Sequence, residues 1–174
     1  MIYPGGNYVR SKNILVPTDF SDSSLRALEF GQCMAKQHNS LIHLLHIIEP
    51  DYVIKAPHGY GSVARYRRVR ILEAEEDLRR FVAKINTAST NITEAILEGY
   101  ASEKILLYAM SNKIDLILLA TNGSGKAFRQ PMGKVADRIL RSSKVPVILV
   151  KANVPVFAVD KVFYDNARAE NWVG

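Results

Sequence analysis

Cys33 is the only cysteine in the chain, which excludes an internal disulfide and fits a reducing compartment. No uninterrupted apolar stretch approaches the ~20 residues that a membrane span requires. The opening "MIYPGGNYVRSK" has no apolar run behind its charges, so no secretory signal is expected. Internal repeats and low-complexity segments are lacking. So is any nucleophile–base–acid set or pair of acids that would argue for catalysis. His43 and His46 are three apart in a strand-like run, so their side chains point to opposite faces and do not readily share a metal. His38 and His58 have no partner by spacing, and Cys33 falls on an apolar helix face as a small packed hydrophobe. A cytoplasmic protein without a required cofactor or metal, and not an enzyme, is the expectation.

What is there is ordinary for a globular chain: 174 residues, 48 % hydrophobic and 23 % charged, enough for one sizeable core. The net charge of +6 favours anionic partners but is too modest to name nucleic acid. Between Asn122 and Val145 the bases are Lys126, Arg129, Lys134, Arg138, Arg141 and Lys144, against Asp137 alone. The stretch "ARYRRVR" at 64–70 is followed by "EAEEDLRR", so a solvated helix surface fits it better than a nucleic-acid face.

Short apolar runs punctuate the chain: "ILV" at 14–16, "LIHLLHII" at 41–48, "DLILLA" at 115–120 and "VPVILV" at 145–150. Near-continuous runs, rather than alternation, suit strands of a parallel sheet covered on both faces. "NITEAILEG" at 91–99 carries Thr93, Glu94 and Glu98, a mixture that suits an edge strand. Between the strands lie helical periods. Ala27, Phe30, Gly31, Met34 and Ala35 follow a cap at Ser21 or Asp22, and Ile71, Ala74, Leu78, Phe81 and Ile85 form a longer series. Segments 102–113 and 134–144 complete the helices. Alternating strand and helix predicts a doubly wound α/β domain with a five-stranded parallel sheet over residues 1–151, and a C-terminal extension at 152–174. Such sheets bind ligands at the carboxyl ends of the strands, where "VPTDFSDSS" and "ATNGSGK" fall.

"ATNGSGK" has the look of a phosphate-binding P-loop. Yet Ala120 stands at the first glycine, Ala127 where a magnesium-holding hydroxyl belongs, and Pro131 and Gly133 interrupt a helix starting at Lys126. Read with its flanks, "DLILLATNGSGKAFRQPMGKVADRILRSSKVPVILV" resembles the closing segment of the universal stress protein family, which carries G-x2-G-x9-G-[ST] there. "ILVPTDFSDSSLRAL", "LLHIIEP" and "LEGYASEKILLYAMSNKIDLILLA" resemble further parts of that family, so the resemblance spans about residues 12 to 151.

The resemblance implies a Rossmann-like fold of the adenine-nucleotide alpha-hydrolase kind and an ATP site. By position, Pro17, Thr18 and Asp19 would flank the adenosine, with Ile47 against the base. Ala120, Asn122 and Gly123 would lie under ribose and phosphates, and Gly133, Lys134 and Val135 at the phosphate end. This sequence departs from the motif at Ala120 and at Lys134, which replaces the final hydroxyl. A left-handed backbone at position 120 would cost alanine about 1–2 kcal/mol. Lys134 either grasps phosphate directly or marks a site that no longer holds ATP. The balance at this point is a binding or regulatory module with weakened or lost ATP binding; the alternative is an ATP-responsive switch using Lys134 and Mg-ATP. Pro146 removes an N–H from the last strand and places it at an edge. Family members commonly pair that strand with a second copy, so a homodimer through Val145, Pro146, Val147, Ile148, Leu149 and Val150 is expected.

Overall fold

The computed structural model describes residues 12–50, 60–85, 90–121 and 132–151. Strand β1 (Asn13–Thr18) leads into helix α1 (Asp22–His38), β2 (Leu41–Ile48), α2 (Tyr60–Val82) and β3 (Asn91–Glu98). Helix α3 (Ala101–Ser111), β4 (Leu116–Ala120), α4 (Lys134–Ser142) and β5 (Val147–Val150) follow. All pairings are parallel, and the five strands run in the order β3-β2-β1-β4-β5. The chain builds outward from β1 to β3, then returns to the other side of β1. The topological switch therefore lies between β1 and β4.

The apolar runs are continuous because both sheet faces are covered. On one face Ile14, Val16, Ile42, Leu44 and Leu118 pack with Leu28 of α1 and with Leu78 and Phe81 of α2. On the other, Leu15, Leu45, Ile117 and Leu119 pack with Ile105 and Ala109 of α3 and Ile139 of α4. Each such fully buried aliphatic or aromatic side chain contributes about 1.5–3 kcal/mol. Residues three apart on β2 separate as the strand period requires. His43 sits under Tyr108, with Nδ1 3.1 Å from its hydroxyl, while His46 lies on the opposite face.

Helix α1 starts where Ser21 accepts the Ser24 N–H at 3.2 Å, and ends at Asn39 in the left-handed conformation. Gly31 is what lets it lie close: an added Cβ would meet Leu118 Cδ1 at 3.1 Å and Val16 Cγ2 at 3.3 Å. The elements end slightly earlier than the periodicity predicts. Ile85 falls past the end of α2 and packs against the core from outside the helix. α4 stops at Ser142 because the Ser143 hydroxyl and N–H of Val145 turn the chain, with Ser143 Oγ donating to the Val145 carbonyl at 2.7 Å. Both expected edge strands are edges. Glu94 and Thr93 of β3 are exposed, and Pro146 precedes β5, its carbonyl accepting from Ile117 N–H at 2.9 Å.

Only the second half of α2 is anchored. Its first fully buried residue is Ala74, while Arg65, Arg67 and Arg68 are exposed. Arg67 reaches Glu98 at the end of β3, with Nε–Oε2 2.7 Å, and Arg70 pairs with Glu73 at 3.5 Å. Within "ARYRRVR", Val69 is exposed as well, while Tyr66 and Arg70 are half-buried.

Candidate functional site

Because every strand is parallel, the ends of β1, β2 and β4 and the start of α4 meet at one rim of the sheet. That rim gathers Pro17, Thr18 and Asp19 after β1, Ile47 near the end of β2, Ala120 at the end of β4, and Gly133, Lys134 and Val135 at the start of α4. Asn122 and Gly123, like Lys126 and the extension at 152–174, lie outside the described residues.

The β1–α1 turn is held tightly. Thr18 is 7 % exposed; its hydroxyl lies 2.9 Å from Ser24 Oγ and accepts the Phe20 N–H at 3.0 Å. Asp19 is exposed, and its Oδ1 accepts both the N–H (3.1 Å) and the hydroxyl (2.5 Å) of Ser21. Phe20 adopts φ +63°, a backbone well disfavoured for a bulky side chain at a cost on the order of 1–3 kcal/mol. Its ring stacks on His46, with centroids 4.2 Å apart and planes at 25°, and meets Phe81 edge-on at 5.7 Å. His46 Nδ1 lies 2.9 Å from the Thr18 carbonyl. A carbonyl can only accept, so Nδ1 carries the proton. Burial lowers the His46 pKa; the Thr18 hydrogen bond and the charges of Asp19 and Asp77 oppose that, and Arg70 reinforces it. No grouping of three or more His, Cys, Asp or Glu able to hold a metal occurs among the described residues.

On the β4–α4 side the described residues are Ala120, Thr121 and the start of α4. Ala120 pairs with Val150 and is not among the residues with positive φ. The methyl at this motif position therefore carries no backbone penalty. Thr121 donates its N–H to Val150 O at 3.0 Å and accepts from Gly133 N–H at 3.2 Å, tying the strand end to the helix start. Gly133 is the N-cap of α4 with φ −70°, ψ 154° and no side-chain cap. A Cβ there would meet nothing within 4 Å, so neither backbone conformation nor packing among the described residues demands glycine. Lys134 and Val135 are exposed. The Asp137 N–H closes onto Gly133 O at 3.0 Å. The N–H groups of the first turn lie at the positive end of the helix, which suits an anion, and Lys134 is the exposed first residue of that turn. Ile47 is half-buried against the core cluster under α3 and α4.

The family resemblance points to Asp19, Gly133 and Lys134, and the fold brings these three to one rim. Sequence reasoning did not find the Phe20–His46–Thr18 arrangement, whose single visible signal is a phenylalanine where a strand turns sharply into a helix. His46 was read as structural, and its partners here are an aromatic ring and a carbonyl, not a metal.

A doubly wound parallel sheet with helices on both faces and its switch point between β1 and β4 defines a Rossmann-like α/β domain. Residues 10–151 match the universal stress protein family; the chain belongs to that family. Universal stress protein MJ0531 of Methanocaldococcus jannaschii is 28 % identical over 140 residues, covering 80 % of this chain and 82 % of the relative. The solved structure of MJ0577, once a hypothetical protein, superposes with a TM-score of 0.74 at 22 % identity, covering 84 % of this chain and all of that one. A universal stress protein from Archaeoglobus fulgidus solved in complex with dAMP gives a TM-score of 0.60 at 23 % identity, covering 80 % and 97 %.

Proposed function

We propose that this universal stress protein is a nucleotide-responsive regulatory module that holds an adenine nucleotide, as Mg-ATP, at the switch-point rim. Lys134 takes the phosphate contact for which the family motif uses a hydroxyl. The observation that carries this reading is the start of α4: an exposed lysine, with no carboxylate paired to it and, at the glycine before it, no contact to an added Cβ within 4 Å, both among the described residues. Without an anion, that lysine opposes the helix dipole by about 0.3–1 kcal/mol. Ala120, the other departure from the motif, is extended and unstrained. This moves the balance away from the weakened or lost binding that the sequence alone favoured. A relative of the same fold was solved in complex with dAMP, which supports an adenylate as the ligand class.

Asp19 accepts from the adenosine, Pro17, Thr18 and Ile47 line the base side, and Ala120, Asn122, Gly123, Gly133 and Val135 surround ribose and phosphates. Among the described residues of the site there is no nucleophile–base pair, and in this proposal the nucleotide acts as a signal, with at most slow hydrolysis. The same proposal includes a cytoplasmic homodimer paired through Val145–Val150, with residues 1–151 as the nucleotide-binding unit and 152–174 as an arm that extends the interface. Among the described residues no helix is long and apolar enough to cross a membrane.

A second reading, a stress-response module that has lost ATP, rests on the missing hydroxyl at position 134. Calorimetric titration of nucleotide-stripped protein with Mg-ATP separates the two. Micromolar binding that weakens in Lys134→Ala supports the first reading, and no heat up to millimolar nucleotide establishes the second.

A further inference from the structure

We propose that His46 is a positioning residue for the switch-point site, holding the strained β1–α1 turn in the conformation that presents Asp19. This rests on the nucleotide reading above. Phe20 is held with φ +63° immediately after Asp19, and a bulky residue stays in that region only where its surroundings over-determine it. Three contacts do so: the Phe20 N–H on Thr18 Oγ1, the Phe81 ring edge, and the His46 ring beneath it.

His46 grips the turn twice, at Phe20 and at Thr18. Its ring carries Phe20 at 4.2 Å, and its Nδ1–H donates to the carbonyl of Thr18 at 2.9 Å. The Thr18 hydroxyl then bridges to Ser24 in α1 and accepts from Phe20, so backbone and side chain of one residue are fixed from strand β2, helix α1 and the turn itself. Asp19 lies between the two gripped residues. Its orientation is set by Oδ1 accepting from Ser21, a local turn that persists only while its backbone does. His46 stands opposite Thr18 in the β1–β2 register, so the grip is built into strand pairing and does not wait for a ligand. In this account His46 does not touch the nucleotide. It prearranges the acceptor that does, sparing the complex the ordering of a loose turn.

The test compares His46→Asn, whose amide N–H falls near the position of Nδ1, with His46→Leu, which fills similar space without a donor. Hydrogen exchange at the Phe20 amide and Mg-ATP affinity are measured on the full chain, with far-UV circular dichroism confirming that both variants fold. We expect the leucine variant to speed exchange at Phe20 at least tenfold and to weaken Mg-ATP at least tenfold. The asparagine variant is expected to stay within about threefold of wild type in both. Unchanged exchange in the leucine variant overturns the proposal whatever happens to affinity. Equal losses of affinity in both variants also overturn it, because the donor would then be irrelevant. Should wild-type protein bind no Mg-ATP, the nucleotide reading fails by itself, and the exchange measurement still decides whether His46 holds the turn.

Discussion

Replacing Lys134 by alanine is predicted to move two quantities in opposite directions. Lys134 is the first residue of α4, at the positive end of the helix, and the nearby carboxylate of Asp137 is engaged by Arg141 at 3.0 Å. Removing the ammonium from the free protein therefore relieves a repulsion of about 0.3–1 kcal/mol, which for a chain of this size raises the melting temperature by about 1–4 °C. With nucleotide bound, the same side chain supplies a charge-assisted contact worth about 1.5–3 kcal/mol. Solvent exposure places it at the lower end, so affinity falls by about tenfold. Thermal unfolding without nucleotide and with saturating Mg-ATP reads both effects: the variant melts higher alone and gains less from the ligand. Because Coulomb terms near the surface are screened, both differences shrink between low salt and ~0.5 M salt. A variant that melts as wild type does in both conditions refutes the reasoning, since Lys134 would then face only water.

Other outcomes follow from the same structure. Gly133→Ala, at φ −70° with no described residue within 4 Å of an added Cβ, should change stability by less than about 1 kcal/mol, the unfolded-state gain being offset by alanine's poorer N-capping, while weakening Mg-ATP; a large loss of stability in urea denaturation would show that the glycine serves packing. Burial lowers the pKa of both His43 and His46 from 6.5, so the unfolded chain binds more protons below that value. Stability should be fully present above pH 6.5 and decline as pH falls below it, and His43→Leu should flatten part of that decline; urea midpoints from pH 7.5 to 5 check this. Sedimentation equilibrium at micromolar protein should return twice the chain mass, and Val147→Glu on the edge strand should return a monomer. A wild-type monomer rejects pairing through β5.

How far residues alone carry the account depends on how local each cause is. The parallel sheet was legible because burial of both faces leaves no room for alternation, so "LIHLLHII" reads as apolar throughout apart from its histidines. Pro146 marked an edge because a missing N–H is a property of one residue, and Ser21 marked a helix start because capping is local. The backbone at Ala120 was left conditional, since alanine tolerates several conformations and only its pairing with Val150 fixes an extended one. Phe20 was harder still. Nothing in its residue type favours positive φ, and what holds it there comes from Phe81, 61 residues on, and His46. The same holds for His46, whose role depends on a carbonyl 28 residues earlier in the chain. Element ends slipped by two residues at Ser111 and Ser142, where turn hydrogen bonds override helical periodicity.

The claim on which the rest depends is that the rim between β1 and α4 holds an adenine nucleotide. The most direct measurement is isothermal titration of nucleotide-stripped wild-type protein with Mg-ATP at physiological salt. The account predicts saturable binding in the micromolar range with one nucleotide per chain. An absence of heat up to millimolar Mg-ATP, with the protein folded, would contradict it.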